Sequence, residues 1–251
     1  MDINDYIFGV HPVIEAIDSG RTIDKIFIKK DLGSELATRL TQLARANHIA
    51  VQRVPAERLN KITRKNHQGV IAQVAAVDYA SLGNIMPTLF DDGVLPFILV
   101  LDGITDVRNF GAIARTAECC GVNAIVIPSR GSVSVGSDSV KTSAGALNYI
   151  PVCRENSLVA AVRYLKDSGC QIVCSTEKSS QNYTLGDYTT PVALVMGAED
   201  TGISPEILAL ADVRAAIPQF GRIESLNVSV AAGVMMYEVV RQRLADNLEI
   251  I

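Results

Sequence analysis

Between residues 97 and 244, short apolar runs of strand length alternate with segments whose apolar residues recur at helical spacing. This alternation constrains the fold, because it predicts parallel strands joined by helices that cover both faces of the sheet. The predicted strands are Phe97 to Leu101, Ala124 to Ile127, Gln171 to Ser175, Val192 to Met196 and Val213 to Ile217; the predicted helices are Phe110 to Cys120, Leu158 to Lys166, Ser204 to Ala211 and Val228 to Leu244.

The first 76 residues form a second, smaller alternation. Helices are predicted at His11 to Ser19 and Ser34 to Asn47, and strands at Asp24 to Lys29, Ala50 to Val54 and Gly69 to Val74. Residues 77–94 contain Gly83, Pro87 and Gly93 and show little periodicity, which is typical of a linker. The sequence therefore predicts an N-terminal α/β domain over 1–76, a linker over 77–94 and a larger α/β domain over 95–251.

The net charge of −4 is unevenly distributed. Residues 1–75 hold 11 Lys and Arg against 8 Asp and Glu, which leaves 12 and 19 for the rest of the chain. Arg58, Lys61, Arg64, Lys65 and His67 cluster with no acidic residue between them. Because local clusters of positive charge govern phosphate binding, this segment is a candidate RNA-binding site. A solvated basic face without a ligand fits the charge pattern equally well.

Membrane and secreted proteins are disfavoured. No run approaches the 18 apolar residues of a membrane span, and the first ten residues, MDINDYIFGV, carry two acids and no basic region. We therefore expect a cytoplasmic protein that does not interact with membranes.

The chain also lacks the patterns of a metal site. The five cysteines have no CxxC spacing, and His11, His48 and His67 are scattered through the N-terminal part. We expect reduced thiols and no metal. Because no GxGxxG follows a strand and no glycine-rich loop ends in Gly-Lys-Ser/Thr, ordinary dinucleotide and ATP binding are also disfavoured.

Three strand ends carry unusual residues, and ligands of parallel α/β sheets bind at the carboxyl ends of strands. The first is DGITDVRNFGAIARTAECCG, starting at Asp102. Here Asn109 is predicted to cap the next helix, from which Arg115 projects. A helix N-terminus with an arginine suits an anionic ligand such as an RNA phosphate. A capping asparagine and a surface arginine are the alternative, which spacing alone favours.

The second strand end is LVMGAEDTGISPEIL, starting at Leu194. Gly197 and Gly202 flank Glu199, and Ser204 is predicted to cap a helix. Two glycines around one acid would let the backbone approach a ligand closely. The alternative is a tight turn between strand and helix, which would need only one of the glycines.

The third strand end is AAIPQFGRIESLNVSVAAGVMMYEVV, starting at Ala215. It leads through Ser225, Leu226 and Asn227 into a helix whose first turns are rich in small residues. Something must pack closely against that helix. The packing element is either a partner helix or a threaded segment of chain.

Together, NFGAIARTAECCG, VMGAEDTGIS and IPQFGRIESLNVSVAAGV resemble, in order, the three motifs of the SpoU (TrmH) family of RNA 2′-O-ribose methyltransferases. The similarity covers about 97–243 and includes VKTSAGALNYIPV, which starts at Val140. In the N-terminal part, IFGVHPVIEAI and NHQGVIA resemble the substrate-binding domain of the bacterial 23S rRNA guanosine 2′-O-methyltransferase branch. That domain is similar to a small ribosomal protein.

The resemblance implies a trefoil-knotted α/β domain, a homodimer formed through it, and S-adenosylmethionine as methyl donor without metal. It implies RNA, most specifically a guanosine ribose in 23S rRNA, as substrate. The implied catalytic residues are Arg115, Asn109, Glu199, Ser225 and Asn227. The implied cofactor-binding residues are Thr176, Glu177, Met196, Gly197, Gly202, Ile217, Ser225 and Leu226.

By the same resemblance, Arg115 acts on the ribose hydroxyl. It would do so either as the base or, because guanidinium groups stay protonated, by fixing the phosphate and stabilising the developing alkoxide. Three alternatives to the rRNA enzyme stay open: a tRNA ribose methyltransferase, an inactive RNA-binding relative, and a small-molecule enzyme on a Rossmann-like sheet. Retention of the five catalytic residues disfavours the second, and the absent nucleotide fingerprint with the basic N-terminal module disfavours the third.

Overall fold

The computed structural model describes residues 5–33, 35–47, 49–223 and 225–246, which fall into two units. The smaller unit holds the described residues up to Asp78 together with Ser134–Val140. The larger unit holds Tyr79–Val133 and the described residues from Lys141 onwards. No described helix is both long and apolar enough to cross a membrane.

A four-stranded sheet in the order β1-β4-β2-β3 forms the centre of the smaller unit. Strand β4 is antiparallel to β1 and β2, whereas β2 and β3 are parallel. The strands are β1 (Tyr6–Phe8), β2 (Ile23–Lys29), β3 (Ala50–Val54) and β4 (Val70–Val74); the helices are α1 (Val10–Asp18), α2 (Glu35–Ala46) and α3 (Ala56–Ile62).

Alternation along β2 explains how this sheet is covered. Ile26 and Ile28 face a core formed with α1 and α2, whereas Phe27 faces Leu59 of α3 on the other side. The predicted helices and strands of this unit are confirmed, but β1 and α3 were not predicted. Both are short, and α3 buries only Leu59, so neither shows a sustained period. Ser34 and His48 lie outside the described residues.

Six strands, all parallel, form the sheet of the larger unit in the order β10-β8-β9-β5-β6-β7. They are β5 (Phe97–Asp102), β6 (Ala124–Pro128), β7 (Val152–Glu155), β8 (Gln171–Ser175), β9 (Val192–Gly197) and β10 (Val213–Ala215). The predicted parallel sheet is confirmed. Strand β7 was not predicted because it lies at the sheet edge and is only four residues long. Strand β10 ends two residues earlier than predicted.

The helices that accompany this sheet are α4 (Leu82–Asp91), α5 (Val107–Cys119), α7 (Leu158–Asp167), α8 (Pro205–Leu208) and α9 (Val228–Ala245); a further short helix, α6 (Ser137–Thr142), begins in residues of the smaller unit and ends in residues of the larger one. Apolar residues of α4, α7 and α8 share one core cluster with Ile98 and Val100 of β5. Helices α5 and α9 pack against each other, and α9 also contacts β9. A β-carbon placed on Gly233 of α9 would meet the Thr116 methyl of α5 at 3.8 Å. In the described chain, α5 is thus the close partner that the small-residue helix requires.

The prediction of a linker over residues 77–94 is wrong for α4, which fills most of it. Leu82 and Met86 of this helix are buried in the core of the larger unit. Apolar residues recur at spacings of three and four in Leu82, Ile85, Met86 and Leu89, but Gly83 and Pro87 mask the signal. Burial of the apolar face outweighs the two helix-disfavouring residues.

Arg243 of α9 is a buried cation, with a side chain only 3% exposed. Its guanidinium donates to the carbonyls of Leu95, Pro96 and Thr190 at 3.1, 3.0 and 3.0 Å. These carbonyls lie just before β5 and β9, so Arg243 ties the end of the last helix to the start of two central strands. Burial lowers the pKa of Arg243 to about 10.

Candidate active site

A cleft of about 630 Å³ lies at the carboxyl ends of β8 and β9 in the larger unit. All eight residues predicted to bind the cofactor line this cleft: Thr176, Glu177, Met196, Gly197, Gly202, Ile217, Ser225 and Leu226. The sequence did not single out Ser175, Ala198, Ile203, Gln219, Val228 and Ala231, which also line it.

The turn after β9 needs both of its glycines. A β-carbon on Gly197 would lie 2.2 Å from the carbonyl carbon of Gly202, and Gly202 has a positive φ of 68°. The amide of Gly202 donates to the carbonyl of Ala198 at 2.9 Å, which closes the turn. The expectation that a tight turn would need only one glycine is therefore wrong. The close approach that requires Gly197 is between its own backbone and the backbone of Gly202.

Asp102, at the end of β5, forms a hydrogen bond with a residue that follows this turn. Its carboxylate accepts the backbone N–H of Ser204 at 2.7 Å. Ser204 stands at the predicted N-cap of α8 with Pro205 in the first turn, although its side chain makes no capping hydrogen bond. An acidic residue at a strand end was visible in the sequence, but its partner 102 positions away was not.

Asn109, Glu199 and Asn227 come together in one hydrogen-bonded cluster, which we call the amide–carboxylate cluster. Glu199 Oε1 accepts from Asn109 Nδ2 at 3.2 Å, from Asn227 Nδ2 at 2.6 Å and from the backbone N–H of Val228 at 3.1 Å. Asn227 Nδ2 also donates to Asn109 Oδ1 at 3.0 Å. Three strand ends far apart in sequence thus meet at one carboxylate.

Helix geometry places two members of this cluster. Asn227 is the N-cap of α9, where its side-chain oxygen accepts the N–H of Ser229 at 3.0 Å. Asn109, predicted as the cap of α5, instead lies in the first turn of that helix. The cap is Asp106, whose carboxylate accepts the N–H groups of Arg108 and Asn109 at 2.8 and 2.9 Å. Because Asp106 satisfies these donors, the side chain of Asn109 is available to the cluster.

A second cavity of about 520 Å³ adjoins the cleft. It is lined by Gly103, Ile104, Thr105, Asp106, Asn109, Ala198, Glu199, Asp200 and Val228. Ala198, Glu199 and Val228 border both cavities. Two molecules bound side by side would therefore meet next to the amide–carboxylate cluster.

The remaining two predicted catalytic residues lie outside this cluster. Ser225 lines the cleft and is exposed. Arg115 is exposed on α5, and in the described part of the chain its side chain lines neither cavity and has no hydrogen-bond or ion-pair partner. The structure thus brings together three of the five, with Ser225 at the neighbouring cleft and Arg115 apart.

The basic cluster of the smaller unit lies on α3 and the loop after it. Arg58, Lys61, Arg64 and Lys65 are all exposed. Arg58 lies 5.8 Å above the ring of Phe27, and Lys65 lies 5.9 Å above the ring of Phe8. At such distances a cation is attracted to the ring face, which holds the side chain against the unit while its charge stays in solvent.

His67 differs from these four cations. Its Nδ1 accepts the N–H of Gly69 at 3.0 Å, so the ring proton lies on Nε2 and is donated to Asn60 Oδ1 at 3.0 Å. Both ring nitrogens are therefore engaged inside the unit. This geometry fits a residue that shapes the loop before β4, whereas the sequence predicted a direct RNA contact.

The described residues contain no group of three or more His, Cys, Asp or Glu that could hold a metal ion. Four of the five cysteines are buried, and Cys119 is exposed. Burial raises the pKa of Cys120, Cys153 and Cys174 to about 12 and that of Cys170 to about 11. These four thiols are core residues without nucleophilic character at neutral pH.

Two family models match most of the chain. Residues 96–237 match the SpoU rRNA Methylase family, and residues 6–80 match the domain described as RNA 2′-O ribose methyltransferase substrate binding. The second match ends close to the boundary of the smaller unit at Asp78.

Relatives align over nearly the whole chain. A putative TrmH family tRNA/rRNA methyltransferase of Bacillus subtilis is 35% identical over 96% of this chain and 96% of its own length. A protein of the same description from Staphylococcus saprophyticus is 38% identical over 94% of this chain and 95% of its own length.

Solved structures give the same result. An AdoMet-bound rRNA methyltransferase from Sinorhizobium meliloti superimposes with a TM-score of 0.60 at 29% identity, over 94% of this chain and 86% of that one. The SpoU methyltransferase AviRb of Streptomyces viridochromogenes shares the fold, with a TM-score of 0.60 at 24% identity over 96% and 90% of the two chains. With both family models matched in order, this chain belongs to the SpoU (TrmH) family of RNA methyltransferases.

Proposed function

We propose that this protein transfers the methyl group of S-adenosylmethionine to a ribose 2′-hydroxyl of RNA. The observation that carries the proposal is the pair of adjoining cavities that meet at the amide–carboxylate cluster. The cleft would take the methyl donor and the second cavity the nucleotide. The two reactants would then lie next to each other, as a direct methyl transfer requires.

The residues of the cleft fit S-adenosylmethionine. Met196, Ile203, Ile217 and Leu226 offer apolar surface for an adenine ring. Carboxylates of Glu177 and Glu199 line the same cleft, and the cofactor carries a positive sulfonium and a positive ammonium group. The Sinorhizobium meliloti structure described as AdoMet-bound supports the same assignment. When bound, the cofactor supplies an already activated methyl group, so the proposal includes no metal.

The amide–carboxylate cluster would orient the acceptor nucleotide. Three donors converge on one oxygen of Glu199, which fixes the carboxylate between the two cavities. Asn109 also lines the second cavity and has a further amide hydrogen for a ribose or phosphate oxygen. We propose that Glu199, Asn109 and Asn227 hold the hydroxyl in line with the methyl group, with Ser225 contacting the cofactor from the cleft.

Arg115 would act on the RNA and not on the cofactor. A guanidinium group presents a planar fork of N–H donors that suits a phosphate, and Arg115 is exposed on α5, where RNA can reach it. We therefore assign it the phosphate beside the target ribose and the stabilisation of the negative charge that develops on the ribose oxygen.

The substrate we propose is a guanosine ribose in 23S rRNA, recognised through the smaller unit. The substrate-binding family model covers residues 6–80, and the four exposed cations on α3 and its following loop supply positive charge for RNA phosphates. A tRNA target is the second candidate, because relatives carry the combined description tRNA/rRNA methyltransferase. Either substrate is consistent with a cytoplasmic enzyme.

We also propose a trefoil knot and a homodimer formed through the larger unit. Helix α5 already covers one side of α9, so the dimer does not depend on the small residues of that helix. It is supported instead by the exposed apolar side chains Val230, Tyr237 and Leu244 along α9, which are 52%, 53% and 61% exposed. A second copy would cover these side chains, and light scattering at micromolar concentration should give twice the mass of one chain.

Mapping of ribose methylation tests the substrate assignment. In cells that lack the protein, we expect one guanosine mark to disappear from 23S rRNA and to return with the wild-type gene but not with Asn227→Ala. Loss of a tRNA mark with unchanged rRNA would transfer the proposal to tRNA. If every ribose mark persists and the purified chain does not bind S-adenosylmethionine in calorimetry, the proposed reaction is wrong.

A further inference from the structure

Five residues of helix α5 are exposed, and four of them, Arg108, Ala112, Arg115 and Cys119, form a narrow strip at helical spacing, with the acidic Glu118 beside its end. The two arginines are seven residues apart, which is almost two full turns and about 10.5 Å along the axis, so both point away from the same side of the helix. On the exposed strip, Ala112 lies between the two arginines, and its small side chain leaves the space above the helix open. We call this strip the arginine strip.

Arg108 occupies an unfavourable position for the helix itself. It lies in the first turn of α5, next to the positive end of the helix dipole, and that turn contains no acidic residue. The side chains of Arg108 and Arg115 have no hydrogen-bond or ion-pair partner in the described structure, although the N-cap carboxylate of Asp106 lies at the same helix end and accepts the backbone N–H of Arg108 at 2.8 Å. A cation whose side chain is unpaired at the positive end of a helix is expected where function requires it.

The surroundings of the second cavity supply such a requirement. Asp106, Glu199 and Asp200 line this cavity, so its rim repels the phosphates of an approaching strand. Arg108 lies in the chain between Asp106 and Asn109, two of the residues that form the cavity wall. A cation at this place would counter the repulsion beside the position where the ribose must enter.

We propose that Arg108 binds a backbone phosphate of the RNA, and that Arg115 binds a neighbouring phosphate of the same strand. The arginine strip would thus hold the RNA strand at two points along α5, with the target nucleotide at the second cavity beside Arg108. This inference rests on the proposed function, because it takes RNA as the ligand of that cavity. It assigns to Arg108 a role in substrate binding that the sequence did not indicate.

The test compares three variants of the full-length chain. Arg108→Gln removes the charge, Arg108→Lys retains it, and Arg163→Gln removes an exposed arginine from α7 as the matched control. For each, we would measure the affinity for the rRNA substrate over a series of salt concentrations, the affinity for S-adenosylmethionine by calorimetry, and the melting temperature.

For Arg108→Gln we expect RNA affinity to fall roughly tenfold and the slope of log affinity against log salt to flatten by about one. Cofactor affinity should stay unchanged, and the melting temperature should stay equal or rise, since the repulsion from the helix dipole is removed. Arg108→Lys should keep the wild-type salt slope.

An Arg108→Gln variant whose RNA affinity and salt slope match those of Arg163→Gln overturns the inference while the proposed function stands. A fall in affinity accompanied by a lower melting temperature and weaker cofactor binding would mean that Arg108 supports the fold, which also overturns it. A wild-type chain that binds cofactor but not RNA would refute both this inference and the proposed function.

Discussion

Asn227 donates its amide hydrogen to Glu199 over 2.6 Å, and this bond joins the cap of the last helix to the turn after a central strand. The same asparagine closes the first turn of α9 through Ser229. One side chain therefore stabilises a helix and positions the carboxylate between the two cavities. These two roles can be separated by experiment.

Replacement of Asn227 by alanine should affect both roles. We expect the free energy of unfolding to fall by about 1 kcal/mol, because an N-cap is lost. We also expect methyl transfer to fall roughly 100-fold, because Glu199 loses its shortest donor. Ser157→Ala is the matched control, since Ser157 caps α7 through Ala160 away from both cavities. Equal activity of the two variants would exclude Asn227 from the reaction.

Substitution of Arg115 by alanine should remove methyl transfer and leave the cofactor in place. We expect single-turnover rates at least roughly 100-fold below wild type, because the negative charge on the ribose oxygen loses its stabilising cation. Calorimetry should give a dissociation constant for S-adenosylmethionine within about twofold of wild type, as Arg115 does not line the cleft. A variant that retains most of its turnover, like the control Arg163→Ala, would contradict this role.

Gly197→Ala should open the turn that carries Glu199. The added methyl group would lie 2.2 Å from the carbonyl carbon of Gly202, so the backbone must move. We expect a loss of stability of about 1–3 kcal/mol and much weaker cofactor binding. In contrast, the methyl group of Gly83→Ala meets only Ser81 Oγ, at 3.7 Å, and should stabilise α4 by about 0.5–1 kcal/mol. Thermal unfolding and calorimetry of both variants test this, and unchanged cofactor affinity in Gly197→Ala would refute it.

Removal of Lys61, Arg64 and Lys65 together should weaken RNA binding without affecting the cofactor. Because each lost phosphate contact flattens the salt dependence by about one, the slope should fall by about two to three. The control replaces Arg21, Arg39 and Arg45, three exposed cations of the same unit, and should lose less affinity. If both triple variants lose the same affinity, the net charge of the unit, and not this cluster, determines binding.

The cysteines should differ sharply in reactivity. At pH 8, thiols with a pKa of about 12 are ionised in only about one molecule in ten thousand, so Cys120, Cys153 and Cys174 should react slowly with a thiol reagent. Cys170 should also be slow, and raising the pH should speed all four because the thiolate fraction grows. The exposed Cys119 should react first, and this fast reaction should be absent in Cys119→Ser. Two or more fast thiols in the folded chain would contradict the described burial.

The strands of the larger unit could be predicted because their apolar runs are continuous, as burial on both faces requires. Asn109 and Glu199 could be expected near each other, since they follow strands that end at the same edge of the sheet. The approach of Asn227 was implied by the family resemblance but could not be predicted from the residue pattern itself. Strand β10 is separated from β9 by β8, and strand order is set by packing between distant segments, which no local pattern encodes.

The capping residue of α5 shows a second limit of the sequence. Asp106 and Asn109 are both good caps, and propensity ranks them about equally. The carboxylate of Asp106 accepts two backbone N–H groups, which moves the helix start three residues towards the N-terminus and turns Asn109 into a site residue. Such a shift changes the role of a residue although the element itself is predicted correctly.

The bonds of Arg243 affect the order in which the larger unit can assemble. The carbonyl of Leu95 finds its donor 148 positions later in the chain, and that of Pro96 147 positions later. Until α9 docks, the entrance to two central strands lacks these donors, however well the sheet itself has formed. Contacts between such distant positions slow folding, because a large loop must close before they contribute. Arg243 therefore forms its hydrogen bonds late in folding. The sheet of a nascent chain can form early, but the carbonyls before β5 and β9 gain their donors only when α9 has docked.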